Sequence, residues 1–154
     1  MRKGIQFALC LLLPLAVGYM SAFFVDTDGW YQQLHKPSWT PSGTIIMRVW
    51  ITLYVLMGVA LFSFLNADNT ARQARTGIVI FLVQLLLNFS WSFIFFYLQE
   101  PGWALAELIV LWVSILINIL VFAKAGKLAA ILLIPYICWV SFAGYLTYTI
   151  WQLN

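Results

Sequence analysis

Charge is scarce in this sequence of 154 residues: Asp, Glu, Lys and Arg make up 8% of it, where an average soluble domain carries about 25%. A soluble domain of this length buries only about two-thirds of its surface. The polar side chains needed to cover the remainder are missing. That excludes a soluble enzyme, a nucleic-acid module and a disordered tail. Histidine occurs once, as His35. A Ser-His-Asp triad or a metal site would need it, and it has no spaced partner. As an axial ligand to a haem-like iron it would also lack an orienting group, so it reads as a polar loop residue. The two cysteines, Cys10 and Cys138, fall inside apolar runs and read as buried free thiols, with no disulfide framework or metal spacing. There is no Gly-rich phosphate loop. No strand-like alternation recurs, which excludes an outer-membrane barrel.

Hydrophobic residues are what the chain has, at 64%, with 18% aromatic residues and 8 Trp. A helix needs about 20 apolar residues to cross a hydrocarbon core about 30 Å thick. Nearly charge-free runs predict five such helices at residues 4–25, 44–67, 76–99, 102–123 and 128–151. The expectation is an all-α integral membrane protein, a single five-transmembrane-helix bundle spanning residues 1–154. Arg2-Lys3 ahead of an apolar stretch, with Ala16-Val17-Gly18 beyond, also fits a cleaved signal peptide. The apolar run continues to Val25, however, which favours a retained span.

The basic residues mark segment ends, which argues against a nucleic-acid surface. Arg2, Lys3, Arg72, Arg75, Lys124 and Lys127 fall on one side of the five spans. Lys36 and Arg48 fall on the other, with Asp26, Asp28 and Glu100. The positive-inside rule then places the N-terminus in the cytoplasm and the C-terminus outside. Loop 26–43 is the long connection. Its aromatic residues and prolines predict a packed lid over the outer end of the bundle. Glu107, early in the fourth span, reads as an interfacial, solvated carboxylate.

Aromatic and amide side chains repeat at helical spacing inside the spans. Gln84, Asn88, Trp91, Ser92 and Phe95 share one face of the third helix. Pro135, Trp139, Phe142, Ala143 and Leu146 repeat those offsets in the fifth. Trp50, Tyr54, Met57 and Gly58 form a stripe in the second. Such stripes commonly pack helices together. Here their depths converge on the outer half of the bundle, below the long loop. Flat aromatic walls with a few polar groups suit a large, planar, mostly apolar ligand.

The segments Trp30-Tyr31, KPSWTPSG from Lys36, Trp50, NFSWSFIFF from Asn88 and PYICWVSFAGYLTYTIWQLN from Pro135 resemble the TspO/translocator protein family, the tryptophan-rich sensory proteins also called peripheral benzodiazepine receptors. The resemblance spans nearly the whole chain, with several motifs in order. It implies a bundle that binds porphyrins, notably protoporphyrin IX, and isoquinoline carboxamide or benzodiazepine-type ligands. It also implies a homodimer in the bacterial cell membrane. Ligand contacts of the family map to Tyr31, Trp39, Trp50, Asn88, Trp91, Trp139 and Ala143, and Phe142 lies on the same stripe. Light-dependent oxidative breakdown of porphyrin is associated with tryptophans matching Trp50 and Trp139. No cofactor is then required, the porphyrin being ligand or substrate. Pro41 is followed by Ser42 where the family often has a second proline, which is expected to loosen the lid. Gln152 stands where the family's sterol motif has a basic residue, so specific cholesterol binding is not expected. The late helical Asn of the family is Thr147 here.

These observations leave three expectations: a porphyrin-binding receptor or sensor, a tetrapyrrole transporter, and a photochemical porphyrin-degrading enzyme. The absence of inverted repeats or broken-helix pairs weighs against a rocking transporter.

Overall fold

The structure is a computed structural model that describes residues 3–25 and 29–154. Arg2, Asp26 and Asp28, which entered the charge reading above, lie outside the described residues. The described chain is helical, in the order α1 (Lys3–Ala22), α2 (Trp30–Gln33), α3 (Gly43–Leu65), α4 (Ala71–Ser92), a π-helical turn (Phe93–Tyr97), α5 (Pro101–Ala125), α6 (Lys127–Ile131) and α7 (Ile134–Leu153). Five stretches are long and apolar enough to cross a membrane: α1, α3, α4 with its π-turn, α5, and α6 with α7. Large apolar side chains such as Leu12, Leu86, Ile109 and Leu120 point outward, as a bilayer solvent permits.

Local chemistry sets the ends of these helices. Thr70 caps α4: its hydroxyl accepts from the Gln73 amide at 3.2 Å while Gln73 Oε1 accepts from the Thr70 N–H at 2.8 Å. This reciprocal capping box starts α4 at Ala71, five residues ahead of the apolar run expected from residue 76. Ser42 caps α3, its hydroxyl accepting from the Ile45 N–H at 3.4 Å. The residue that departs from the family's double proline is thus used to start a helix. The last span was expected to be continuous, yet it breaks between α6 and α7. Pro135 accounts for this, since it has no N–H to donate and its ring would clash with the carbonyl of Ile131. At the other end of α4 the chain widens into the π-turn, where the Leu98 N–H reaches the Phe93 carbonyl at 3.0 Å. Gln99 then turns the chain at a φ of 58°.

The helices surround a core in which α1 packs on α3 and α4, α4 on α5, and α5 on α7. The α1–α3 approach depends on glycine: a Cβ on Gly58 would sit 2.8 Å from the Cys10 carbonyl oxygen and from Leu11 Cα. Such close backbone contact is how membrane helices gain dispersion energy where lipid offers no hydrophobic drive. Within the core, Phe64, Phe81 and Phe122 stack in a row, with ring centroids 4.2 and 6.1 Å apart about Phe122. α3 meets the last span mainly through α6. Further out, α3 and α7 diverge.

Candidate functional site

That divergence leaves a cleft of about 540 Å³. Arg48, Val49, Thr52, Leu53 and Leu56 of α3 form one wall, and Pro135, Cys138, Trp139 and Phe142 of α7 form the other. Cys138 is exposed here, which corrects the expectation of two buried thiols; Cys10 is buried between helices. The correction follows from helix phase. The buried face of α7 runs through Tyr136, Val140, Leu146, Thr147 and Ile150, and Cys138 lies off it, beside Trp139 in the cleft.

Trp50 stands behind the cleft. Its indole stacks on the Tyr54 ring at 5.6 Å and meets the Tyr136 ring edge-on at 6.3 Å. The two phenols are joined through Asn88. Tyr54 donates to Asn88 Oδ1 at 2.7 Å, and Asn88 Nδ2 donates to the Tyr136 hydroxyl at 3.1 Å. All three residues are buried. Asn88 therefore lies beneath the site with one amide N–H still uncommitted. Tyr136 was missed in the sequence, although a phenol deep in a span always needs a partner.

Trp139 packs on Phe142, with centroids 5.2 Å apart. Phe142 in turn meets Trp39 of the loop at 5.8 Å, and Trp39 stacks flat on Tyr145 at 5.3 Å. Trp39 of the loop thus packs on the α7 side of the cleft. Ala143 packs against the main core beside these rings. On the other flank, Trp91 stacks on Phe95 at 5.1 Å. Tyr31 and Trp30 pack on Phe95 from above at 6.2 and 5.8 Å. Burial raises the Tyr31 phenol above its ordinary range, so it stays a neutral donor. The Lys36 ammonium lies 4.3 Å from the Tyr31 ring centre and donates to the Tyr31 carbonyl at 2.5 Å, a cation–π contact that stiffens the lid.

The expected site residues therefore form three connected groups. Trp50 joins Asn88 through Tyr54. Trp139, Phe142 and Trp39 line and cap the cleft. Trp91 and Tyr31 meet through Phe95. The indole N–H groups of Trp91 and Trp139 are buried and have no acceptor. Unpaired buried donors are rare because each forfeits its hydration. Among the described residues no group of His, Cys, Asp and Glu could hold a metal ion.

A family model described as the TspO/MBR family matches residues 10–152. The chain belongs to the TspO/MBR family. It is 41% identical to the "Tryptophan-rich protein TspO" of Chlorobaculum tepidum, over 99% of this chain and 98% of that protein. It is 33% identical to the "Translocator protein" of Bos taurus, over 93% and 86% of the two chains. It is 30% identical to "Protein CrtK" of Rhodobacter capsulatus, over 96% and 92%. TspO/MBR membership and the five apolar spans together make this an integral membrane protein with an all-helical bundle. The cleft, its aromatic wall and the capping loop all fall within the region matched to the TspO/MBR model.

Proposed function

We propose that this protein is a membrane receptor or sensor that binds porphyrins, with protoporphyrin IX as the reference ligand, in the aromatic cleft between α3 and α7. The observation that carries this reading is the sheltered indole N–H of Trp139, which lacks an acceptor in the aromatic wall of the cleft, with a second unpaired indole N–H on Trp91 at the neighbouring flank. A planar apolar ligand with peripheral carbonyl or carboxylate oxygens satisfies both features. Phe142 and Trp39 cover its faces, Trp139 flanks it with Trp50 behind, and Ala143 leaves room beside them. Asn88 and Tyr31 supply further donors. Arg48 at the rim attracts carboxylates. Isoquinoline carboxamide and benzodiazepine-type compounds share this chemistry and compete for the same place. The protein needs no resident cofactor, since the porphyrin is itself ligand or substrate.

In light, Trp50 and Trp139 relay electrons by way of the excited ligand to oxygen; oxygen is reduced, the tryptophans regain their electrons from the porphyrin, and the porphyrin is thereby oxidatively degraded. A second reading, transport of tetrapyrroles, takes its support from the name "Translocator protein" borne by the bovine relative. The protein works in the bacterial cell membrane as a homodimer, N-terminus in the cytoplasm and C-terminus outside. Its sterol binding is weak and non-specific, because Gln152 removes the cation of the sterol motif.

The test is a titration of purified protein with protoporphyrin IX, following tryptophan quenching. Saturable one-to-one quenching, displaced by an isoquinoline carboxamide, is expected. Linear, non-saturating quenching equal to that of free tryptophan would refute the proposal. Uptake into liposomes separates transport from reception, and products formed only under light identify the degradation step.

A further inference from the structure

Glu107 takes no part in the cleft between α3 and α7, and its surroundings differ from the solvated interface expected of it. Both carboxyl oxygens are shielded from solvent and have no hydrogen-bond partner. A carboxylate charge held out of water without a partner costs several kcal/mol, a large share of a small protein's stability. Ionisable groups at this depth generally face a partner or a functional path. Glu107 lines a separate groove of about 410 Å³ between the π-turn and α5. Ile94 and Leu98 form one wall of it, and Trp103, Ala106 and Val110 the other. Leu98, Trp103 and Val110 are exposed, so the groove opens sideways to lipid. Glu100, at the loop end of α5, also borders it. It lies seven residues before Glu107, about two helical turns or 10 Å away on the same face. Both charged residues of the groove are acidic, and its remaining lining is apolar.

We propose that this groove is a second binding site, and that it takes a lipophilic amine from the membrane. The ammonium would pair with Glu107, which reaches the groove by rotation about its own side-chain torsions. Charge-assisted hydrogen bonds of this kind are about twice as strong as neutral ones. The apolar body of the amine would lie on Ile94, Leu98 and Val110, with the Trp103 indole against the cationic end. Glu100 draws cations toward the entrance. The acidic lining favours this occupant over an anionic lipid or an uncharged hydrocarbon.

The test uses the full chain in phosphatidylcholine nanodiscs, with 9-aminoacridine as the probe and empty nanodiscs as background. Anthracene, of the same shape without nitrogen, is the comparison. Wild type should bind 9-aminoacridine saturably and anthracene only as empty nanodiscs do. Glu107→Gln should weaken amine binding by about 10- to 100-fold, the worth of one charged hydrogen bond. Val110→Trp fills the groove at an exposed position and leaves Glu107 in place, so it should weaken the amine similarly. Both variants should keep the wild-type thermal midpoint within a few degrees and the wild-type response to protoporphyrin IX. Amine binding unchanged in either folded variant, or no saturable amine binding by wild type, would overturn the proposal. Competition between protoporphyrin IX and the amine would overturn it as well, because it would make the two sites one.

Discussion

The side-chain amide of Asn154 closes on the main chain of His35. Its Oδ1 accepts from the His35 N–H at 2.9 Å, and its Nδ2 donates to the His35 carbonyl at 3.0 Å. The same Nδ2 reaches the Ile150 carbonyl at 2.8 Å, which fixes the amide to the end of α7. The two residues are 119 positions apart in sequence. This clamp ties the lid to the helix that carries Trp139 and Phe142.

Releasing that clamp should loosen the lid without unfolding the bundle. Asn154→Ala removes two hydrogen bonds to the loop, each worth about 0.5 to 1.5 kcal/mol. Proteolysis within the loop should accelerate by about tenfold, in line with local opening. Ligand dissociation should speed up by a similar factor, with association little changed. Loop cleavage at the wild-type rate would show that Trp39 on Tyr145 and Lys36 on Tyr31 hold the lid unaided.

The Tyr54–Asn88–Tyr136 network gives a second expectation. Tyr54→Phe removes the donor to Asn88 Oδ1 and leaves a buried acceptor unpaired, at about 1 to 3 kcal/mol. Asn88→Ala strands the Tyr136 phenol, leaves the Tyr54 phenol with Ser21 alone and opens a small void, so it should cost more, about 2 to 4 kcal/mol. Thermal unfolding in a fixed detergent would give the order of the two variants. Equal midpoints for both variants and wild type would mean that the three groups find other partners once one is removed.

Much of the bundle was legible in the sequence because hydrocarbon thickness fixes span length and charge marks span ends. Details arising from hydrogen bonds outside that pattern were not. The capping box at Thr70 lies beyond the apolar run that defined the third span. The break before Pro135 was within reach of the sequence, since an interior proline in a span signals it. Trp50, Trp91 and Trp139 stood out by residue type and depth. An apolar run does not show which face of α7 a residue occupies, so the exposure of Cys138 and the burial of Tyr136 were not legible there. Position along the helix does not reveal which way the carboxyl of Glu107 turns, so its shielding from solvent had no signature in the sequence. The contact between His35 and Asn154 is a property of the closed fold and has no local signature.

Orientation follows from charge alone and can be tested alone. Lys3, Arg72, Arg75, Lys124 and Lys127 lie in the terminal turns of helices at one end of the bundle, and Lys36 and Arg48 lie toward the other. A cytoplasm-active reporter should work when inserted at Ala71 and fail when fused after Asn154. Activity at Asn154 would invert the assignment.

Replacing Trp50 and Trp139 together with Phe separates walls from electron relays. Phe preserves a flat apolar surface but is far harder to oxidise than indole. Stability should fall by about 1 to 3 kcal/mol per site, as for other imperfect core swaps. Porphyrin affinity should stay within about tenfold, or roughly 1.4 kcal/mol. Light-driven porphyrin loss should fall much further than that. Bleaching at the wild-type rate by the folded double variant would leave these tryptophans as walls only.

The central claim, that porphyrin occupies the cleft between α3 and α7, is tested most directly by filling the cleft. Thr52 lines it and is exposed, and its hydroxyl donates to the Arg48 carbonyl of its own helix, at 2.9 Å. Thr52→Trp therefore adds bulk to the cleft without disturbing the core. The measurement is the dissociation constant of protoporphyrin IX, read from the shift of its main absorption band, for wild type and Thr52→Trp in the same nanodiscs. The expected result is saturable binding by wild type and at least about tenfold weaker binding by the variant, a difference of 1.4 kcal/mol or more. Equal affinity in the two folded proteins would put the porphyrin elsewhere and contradict the account.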